Sequence, residues 1–412
     1  MNEQTILYLL IGITVFDFLF GKTLGILNNQ SRKKPIPKSL EGIFDEEQYQ
    51  KSQKYQSEVF RFSILTSTVS FIATIAILWF GWFGWLDGWV RSIAPMEYLS
   101  TLYFFGILYF ANDILTLPFD IYATFVIEQK YGFNKMNGKT FIMDQIKGWI
   151  MTVIIGGILL SLFIVVVAFF ESQFWIYFWI IASAFMVFMN MFYTSLIVPI
   201  FNKLKPLEDG PLKEAITKYS QGVGFSLNNI FVIDGSKRSS KGNAFFSGLG
   251  KKKKVVLYDT LIENHSEDEL VGVLAHEVGH YKKKHIIWSL ILSVLQMGFI
   301  LWLLSKMLFM SDLSYAMGGN MTSIQLNILA FGILYSPLSM ALGILMNIFS
   351  RKNEYEADEY ATRTFSKKPL ITALKKLTSD NLGNLTPHPW YVFVNYSHPS
   401  LAQRIEAMAA IK

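Results

Sequence analysis

Apolar positions in this chain run in long blocks. Seven stretches, roughly 5–27, 61–82, 98–120, 148–171, 174–200, 286–310 and 324–349, approach or exceed the ~20 residues a helix needs to cross a bilayer. They predict seven transmembrane helices. The pattern changes between 201 and 285. There Leu212 to Gln221 reads as a short helix, and Asn229–Asp234 and Lys254–Asp259 are rich in β-branched and aromatic residues, as strands are. Gly242–Gly248, framed by glycines, predicts a third, edge-like strand containing Asn243, Ala244 and Phe245. From Ser266 the signals are those of a helix. Ser266-Glu-Asp-Glu269 is a capping box, and Leu270, Val273, Leu274 and Val278 form an apolar stripe. No breaker separates this helix from the sixth span, so the two are expected to be coupled directly.

Composition agrees with a polytopic membrane protein: 52% of the 412 residues are apolar and 16% aromatic. The formal charge of +6 would suggest a basic partner in a soluble protein. In a membrane protein it marks the cytoplasmic side, and no base-stacking aromatic pattern accompanies it, so nucleic acid is set aside. The first loop holds Arg32, Lys33, Lys34, Lys38, Lys51 and Lys54, and the second only Arg91. The third holds Lys130, Lys135, Lys139 and Lys147, the fourth has no basic residue, and 201–285 is basic again. The positive-inside rule then puts the N-terminus outside, and loops one, three and five and the tail in the cytoplasm. The run Lys251–Lys254 is expected to solvate a turn or touch anionic lipid. Met1–Thr5 lacks a basic n-region and no small-residue cleavage site follows, so the first span is expected to be retained. Polar residues inside spans, Asp17, Lys22, Asn112, Asp113, Asp120, Asn190, Gln296 and Asn327, read equally as functional groups or as interhelical hydrogen-bond partners. Asp113 is favoured for a watery cavity. The absence of cysteine excludes disulfides, thiolate metal ligands and a cysteine nucleophile.

The capped helix carries the chemistry. His276-Glu277-Val-Gly-His280 is an H-E-x-x-H pattern in a chain with six histidines. Helical positions four apart differ by about 40° of rotation, so both imidazoles leave one face and can share a metal ion. Glu277 can reach a water on that metal. Zinc accepts imidazole and carboxylate ligands and leaves a fourth position open. A third protein ligand is still needed, from His285, His388, His398 or a carboxylate. His285 lies about 140° further round the same helix, which points it elsewhere. His388-Pro389 is assigned to a turn. Asn353-Glu-Tyr-Glu-Ala-Asp358 is the better candidate: Glu354 and Asp358 share a helix face, with Glu354 to bind and Asp358 to act from behind on a ligating histidine. In the tail, His398 and Arg404 could meet a substrate backbone or carboxylate.

With these pieces assembled, the chain resembles the CAAX prenyl protease type I family of integral-membrane zinc metalloproteases. The resemblance rests on Thr124–Asn134, Pro199–Lys203, Asn243–Gly248, Val256–Thr260, His276-Glu277 with His280, Glu354–Asp358, and Tyr396–Pro399 with Arg404. Phe246 and Ser247 depart from the family's more usual residues in the edge strand. The resemblance implies a seven-helix barrel around an intramembrane chamber, capped by a zincin-like α+β domain on the cytosolic side. It implies one zinc ion per chain on His276, His280 and Glu354, Glu277 as general base, and Asp358 behind the ligands or as proton donor. It also implies that His398 and Arg404 support the substrate or transition state. Four regions follow: spans one to five in 1–200, the zincin-like insertion in 201–285, spans six and seven in 286–350, and a helical segment with the third ligand in 351–412.

The reading is therefore a membrane-embedded zinc endopeptidase whose peptide or prenylated protein substrate lies along Asn243–Ser247 as an added strand. Glu277 would take a proton from water and return it to the leaving amine. A quality-control membrane protease with the same chemistry is the nearest rival, and a zinc-containing scaffold or transporter the next. The lack of cysteine and of a lysine-based retrieval signal favours a bacterial inner membrane over the endoplasmic reticulum. Nothing in the residues sets the oligomeric state.

Overall fold

Long apolar helices carry most of the chain, and the computed structural model describes residues 2–225, 229–248 and 254–411. The basic run Lys251–Lys253 lies outside the described residues. Helix α1 (Glu3–Ser31) starts where the Asn2 side chain accepts the Thr5 N–H, and α2 (Glu46–Trp79) where Asp45 accepts that of Gln48. Then come α3 (Trp82–Ile93), α4 (Glu97–Tyr122), α5 (Gly138–Met151), α6 (Gly157–Phe170) and α7 (Phe174–Leu196). A π-helical stretch, Thr152–Gly156, joins α5 to α6.

Among the described residues, six stretches are long and apolar enough to cross a membrane, where seven were expected. The difference lies at Gly138–Phe201, counted as one stretch. It is interrupted by the turn Glu171–Gln173, with Glu171 at φ 44°. There α7 folds back on α6, and the Phe163 ring meets Phe174 and Phe178 at 5.4 and 5.1 Å. Helix α3 is a further departure from the expected loop. It buries Leu86, Asp87 and Val90 and exposes Trp82, Trp85 and Trp89. Twelve residues are too few to span a bilayer, and an exposed tryptophan face suits the interface. Asp113 and Asn327 are among the polar span residues that act as hydrogen-bond ties. Asp113 Oδ2 accepts from Gln145 and Trp149 at 2.7 Å each, joining α4 to α5. Asn327 donates to the Leu308 and Met310 carbonyls at 2.8 and 3.0 Å.

After α7 the chain forms β1 (Leu204–Pro206), α8 (Pro211–Gly222), β2 (Ile230–Ile233), β3 (Ala244–Ser247) and β4 (Lys254–Tyr258). The sheet order is β1-β2-β4-β3, with β2 and β4 parallel and both outer pairs antiparallel. Strand β3 is thus an edge strand, as its sequence suggests. Strand β1 escaped the sequence reading because three residues ending in proline carry no alternation. Leu270 and Leu274 of helix α9 (Glu267–Lys282) share a buried cluster with Leu257 of β4, Ile216 of α8 and Leu261. The capping box of α9 is present on both sides.

The expected direct run from α9 into the sixth span is broken. Lys284 takes the left-handed conformation at φ 59°, and α10 (His285–Met307) starts afresh after it. Helix α11 (Ile324–Thr364) is continuous over 41 residues, so one rigid rod carries both a membrane span and the Glu354–Asp358 segment. Helices α12 (Lys367–Asp380) and α13 (Leu401–Ala410) close over α9 and α11. Helices α9 and α11 cross at Gly279, where an added Cβ would lie 3.0 Å from the Ala357 Cα. The missing side chain lets the two helices approach closely enough for their side chains to share one site.

Candidate active site

That crossing brings His276, His280 and Glu354 together. One ligand atom from each lies within 4.8 Å of the others, the group that meets this test among the described residues. The two Nε2 atoms are 3.1 Å apart. Glu354 Oε2 is 3.4 Å from His276 Nε2, and Oε1 is 3.3 Å from His280 Nε2. Two ligands on one tetrahedral zinc, each about 2.05 Å away, sit about 3.3 Å from each other. The separations among the three side chains are therefore close to those that ligands of one zinc ion would need. Glu354 Oε2 is buried with no hydrogen-bond partner, Arg404 Nη1 standing 3.5 Å away, and a bound cation would satisfy it directly. Donor chemistry, spacing and the oxygen without a hydrogen bond all fit zinc.

Glu277 follows His276 on α9 and keeps partial solvent access. Burial pushes its carboxyl above the usual range, with Glu354 adding and the histidines and Arg404 opposing. A raised carboxyl is better matched to proton transfer near neutral pH. Burial works against the protonated form of His276, but Asp358 and Glu354 outweigh it and lift it to about 9.

Asp358 lies behind the histidines, as its spacing from Glu354 suggests. Its Oδ1 is 2.9 Å from His276 Nδ1, leaving Nε2 for the metal side. Arg404 is buried rather than open to a substrate. It donates to both Asp358 oxygens, and its Nη1 is 3.5 Å from Glu354 Oε2. His398 is the more open of the two tail residues, its side chain 61% exposed and its Nε2 3.3 Å from Glu354 Oε1. Ser397 Oγ, 2.9 Å from His398 Nδ1, helps to orient the ring. Asn243 is exposed at the start of β3, with Ala244 and Phe245 paired to Leu257 and Val256. On its other side β3 has no strand partner among the described residues. Phe245, Phe246 and His280 line a cavity of about 790 Å³ together with Phe185, Met189 and Leu290 from α7 and α10. His388 caps the short helix Pro389–Asn395, in keeping with its assignment to a turn.

The sequence reading missed one pair. His285 does not point away. Its Nδ1 is 3.0 Å from His280 Nδ1, and its Nε2 is 3.1 Å from Glu356 Oε2. A 140° separation holds only along one continuous helix, and the break at Lys284 re-aims the ring. The available signal was the short run of lysines between the two histidines, a place where a helix can stop.

Known proteins share this architecture. Residues 26–203 match the family described as CAAX prenyl protease N-terminal, five membrane helices, and residues 206–412 match Peptidase family M48. The chain is 34% identical to a CAAX prenyl protease 1 homolog from Oryza sativa subsp. japonica, over 96% of this chain and 95% of that one. It is 32% identical to CAAX prenyl protease 1 from Saccharomyces cerevisiae, over 96% and 94%. The crystal structure of S. mikatae Ste24p superposes with a TM-score of 0.92 at 32% identity, covering 99% of each chain. These relatives are eukaryotic, so they lend no support to the bacterial inner membrane expected above.

Proposed function

The chain belongs to peptidase family M48 and carries that family's CAAX prenyl protease N-terminal region, and on that premise we propose that it is a membrane zinc endopeptidase cutting near the C-terminus of prenylated CAAX-type proteins. The observation that carries this reading is the shared cavity. The His280 ligand, the edge strand β3 and apolar side chains of two membrane helices line one space. A peptide added to β3 keeps its backbone beside the three donors while an attached lipid stays among apolar groups.

His276, His280 and Glu354 would hold the zinc. Bound there, the ion supplies a Lewis acid that polarises a carbonyl and acidifies water. Glu277 takes the water proton and delivers it to the leaving amine nitrogen. Asp358 and Arg404 hold His276 in its ligating orientation, and His398, open to the cleft, donates to the substrate carbonyl region. The basic first and third loops support a cytoplasmic position for this end of the molecule.

The test is mass spectrometry of products from matched farnesylated and unmodified peptides, with wild type and Glu277→Gln. The lipidated peptide should be cut with the higher kcat/KM, mainly through KM, because the lipid binds ground and transition states alike. Glu277→Gln should keep zinc and lose roughly 10²–10⁴-fold in rate. Equal cutting of both peptides would favour a quality-control protease instead.

A further inference from the structure

The contact between His285 and His280 joins the metal site to a carboxylate on another helix. His285 is buried at the first position of α10, and its ring lies at 73° to that of His280. Glu356, half-buried on α11, faces His285 Nε2 with one oxygen, and its other oxygen is 3.8 Å from Lys352 Nζ. Three helices thus contribute to one chain of polar atoms: Glu356 from α11, His285 from α10, His280 from α9.

One arrangement of protons satisfies that chain. An ionised carboxylate only accepts, so His285 Nε2 carries the hydrogen. In a neutral imidazole the other nitrogen then has a lone pair, and His285 Nδ1 accepts. It faces His280 Nδ1, which must donate. The lone pair of His280 is therefore on Nε2, the atom facing His276 and Glu354. Were His285 to present an N–H here, the His280 proton would be driven to Nε2 and the ligand lost.

We propose that Glu356 and His285 are positioning residues that set the tautomer and ring orientation of His280 for zinc. This rests on the zinc reading above. Ligating histidines give their second N–H to an acceptor, and the loss of that acceptor weakens the site. His276 has a carboxylate in direct contact, whereas His280 has one acting through a second imidazole. Because the intervening ring opens a membrane helix, the His280 ligand is also keyed to the packing of α10 against α11.

The experiment uses the full-length chain in detergent and measures zinc affinity by competition with a chromophoric chelator, alongside the visible spectrum of the cobalt(II) form. His285→Phe keeps a ring but removes the acceptor, and should weaken zinc binding roughly 10–100-fold and alter the cobalt spectrum. His285→Gln offers a carbonyl to His280 and should recover most of the affinity. Glu356→Lys presents a donor to His285 Nε2 and should weaken binding as His285→Phe does. Glu359→Lys makes the same charge change one turn on, where the partner is Arg363, and should bind zinc like wild type. Wild-type affinity in His285→Phe, no recovery in His285→Gln, or an equal loss in Glu359→Lys would overturn the proposal. Failure of the zinc reading shows itself differently: wild type would not bind zinc, or His276→Ala would still hold it.

Discussion

Arg404 donates two hydrogen bonds to Asp358, Nε to Oδ2 at 2.8 Å and Nη2 to Oδ1 at 2.6 Å, and so clamps the carboxylate that faces His276. Both partners are buried, Asp358 at 1% exposure and Arg404 at 8%. A buried ion pair loses most when one member is removed, because the other is stranded. Arg404→Ala should therefore lower zinc affinity or kcat/KM about 10–100-fold, as Asp358→Ala should. Arg404→Lys should recover only part, since an ammonium lacks the planar fork that meets both oxygens. Chelator competition and peptide kinetics on the three variants check this, and full recovery by lysine would show that charge alone suffices.

Glu354 is one of the three donors and His398 stands beside it, but the two differ in what they are placed to do. Glu354→Ala removes a donor whose Oε2 is buried and makes no hydrogen bond, so zinc occupancy of the purified protein should collapse. His398→Ala removes a largely exposed ring, so occupancy should persist while peptide cleavage falls. Metal analysis of the two variants decides the matter, and the opposite order would displace Glu354 as third ligand.

Zinc affinity should depend on pH through His276. Its neighbours lift the imidazole to about 9, so at neutral pH a zinc ion must displace a proton from it. Below that pKa, each unit of acidification should weaken apparent affinity by about tenfold from this group alone, and the dependence should level off above it. Chelator competition from about pH 6 to about pH 8 measures the slope. A flat profile would mean that His276 is already neutral when metal arrives.

The close helix crossing should be sensitive to a single methyl. In Gly279→Ala the new Cβ would sit 3.0 Å from the Ala357 Cα and 3.1 Å from its carbonyl oxygen. Overpacking of that kind costs about 1–3 kcal/mol, and here it also separates Glu354 from the histidines. Both the unfolding temperature and zinc affinity should fall. Gly222→Ala, with no atom within 4 Å of the added carbon, should change stability by no more than about 1 kcal/mol and leave the metal site alone.

Much of this protein is written in short-range patterns. The apolar blocks, the Ser266–Glu269 cap and the spacing of His276, Glu277 and His280 depend on residues within a few turns of one another. Helical geometry converts such spacing directly into a shared face. The pairing of Glu354 with Asp358 has the same origin, and so does the apolar edge strand at Ala244–Ser247. A family resemblance is legible for the same reason, because these local motifs survive as strings.

What the chain could not reveal alone depends on where long elements cross and on single backbone angles. The left-handed Lys284 turns His285 from a residue pointing elsewhere into a neighbour of His280. One dihedral re-aims everything downstream of it, and no periodicity records that. Arg404 reads as a substrate contact until α13 packs it against Asp358. The amphipathic α3 was hidden because its buried face exists only against neighbouring helices. Donor types were thus determined by sequence, whereas their distances and the groups that orient them were decided by helix packing, above all at Gly279 and Ala357. Spacing along a helix is a local property, and the gap between helices is set by every side chain that lies between them.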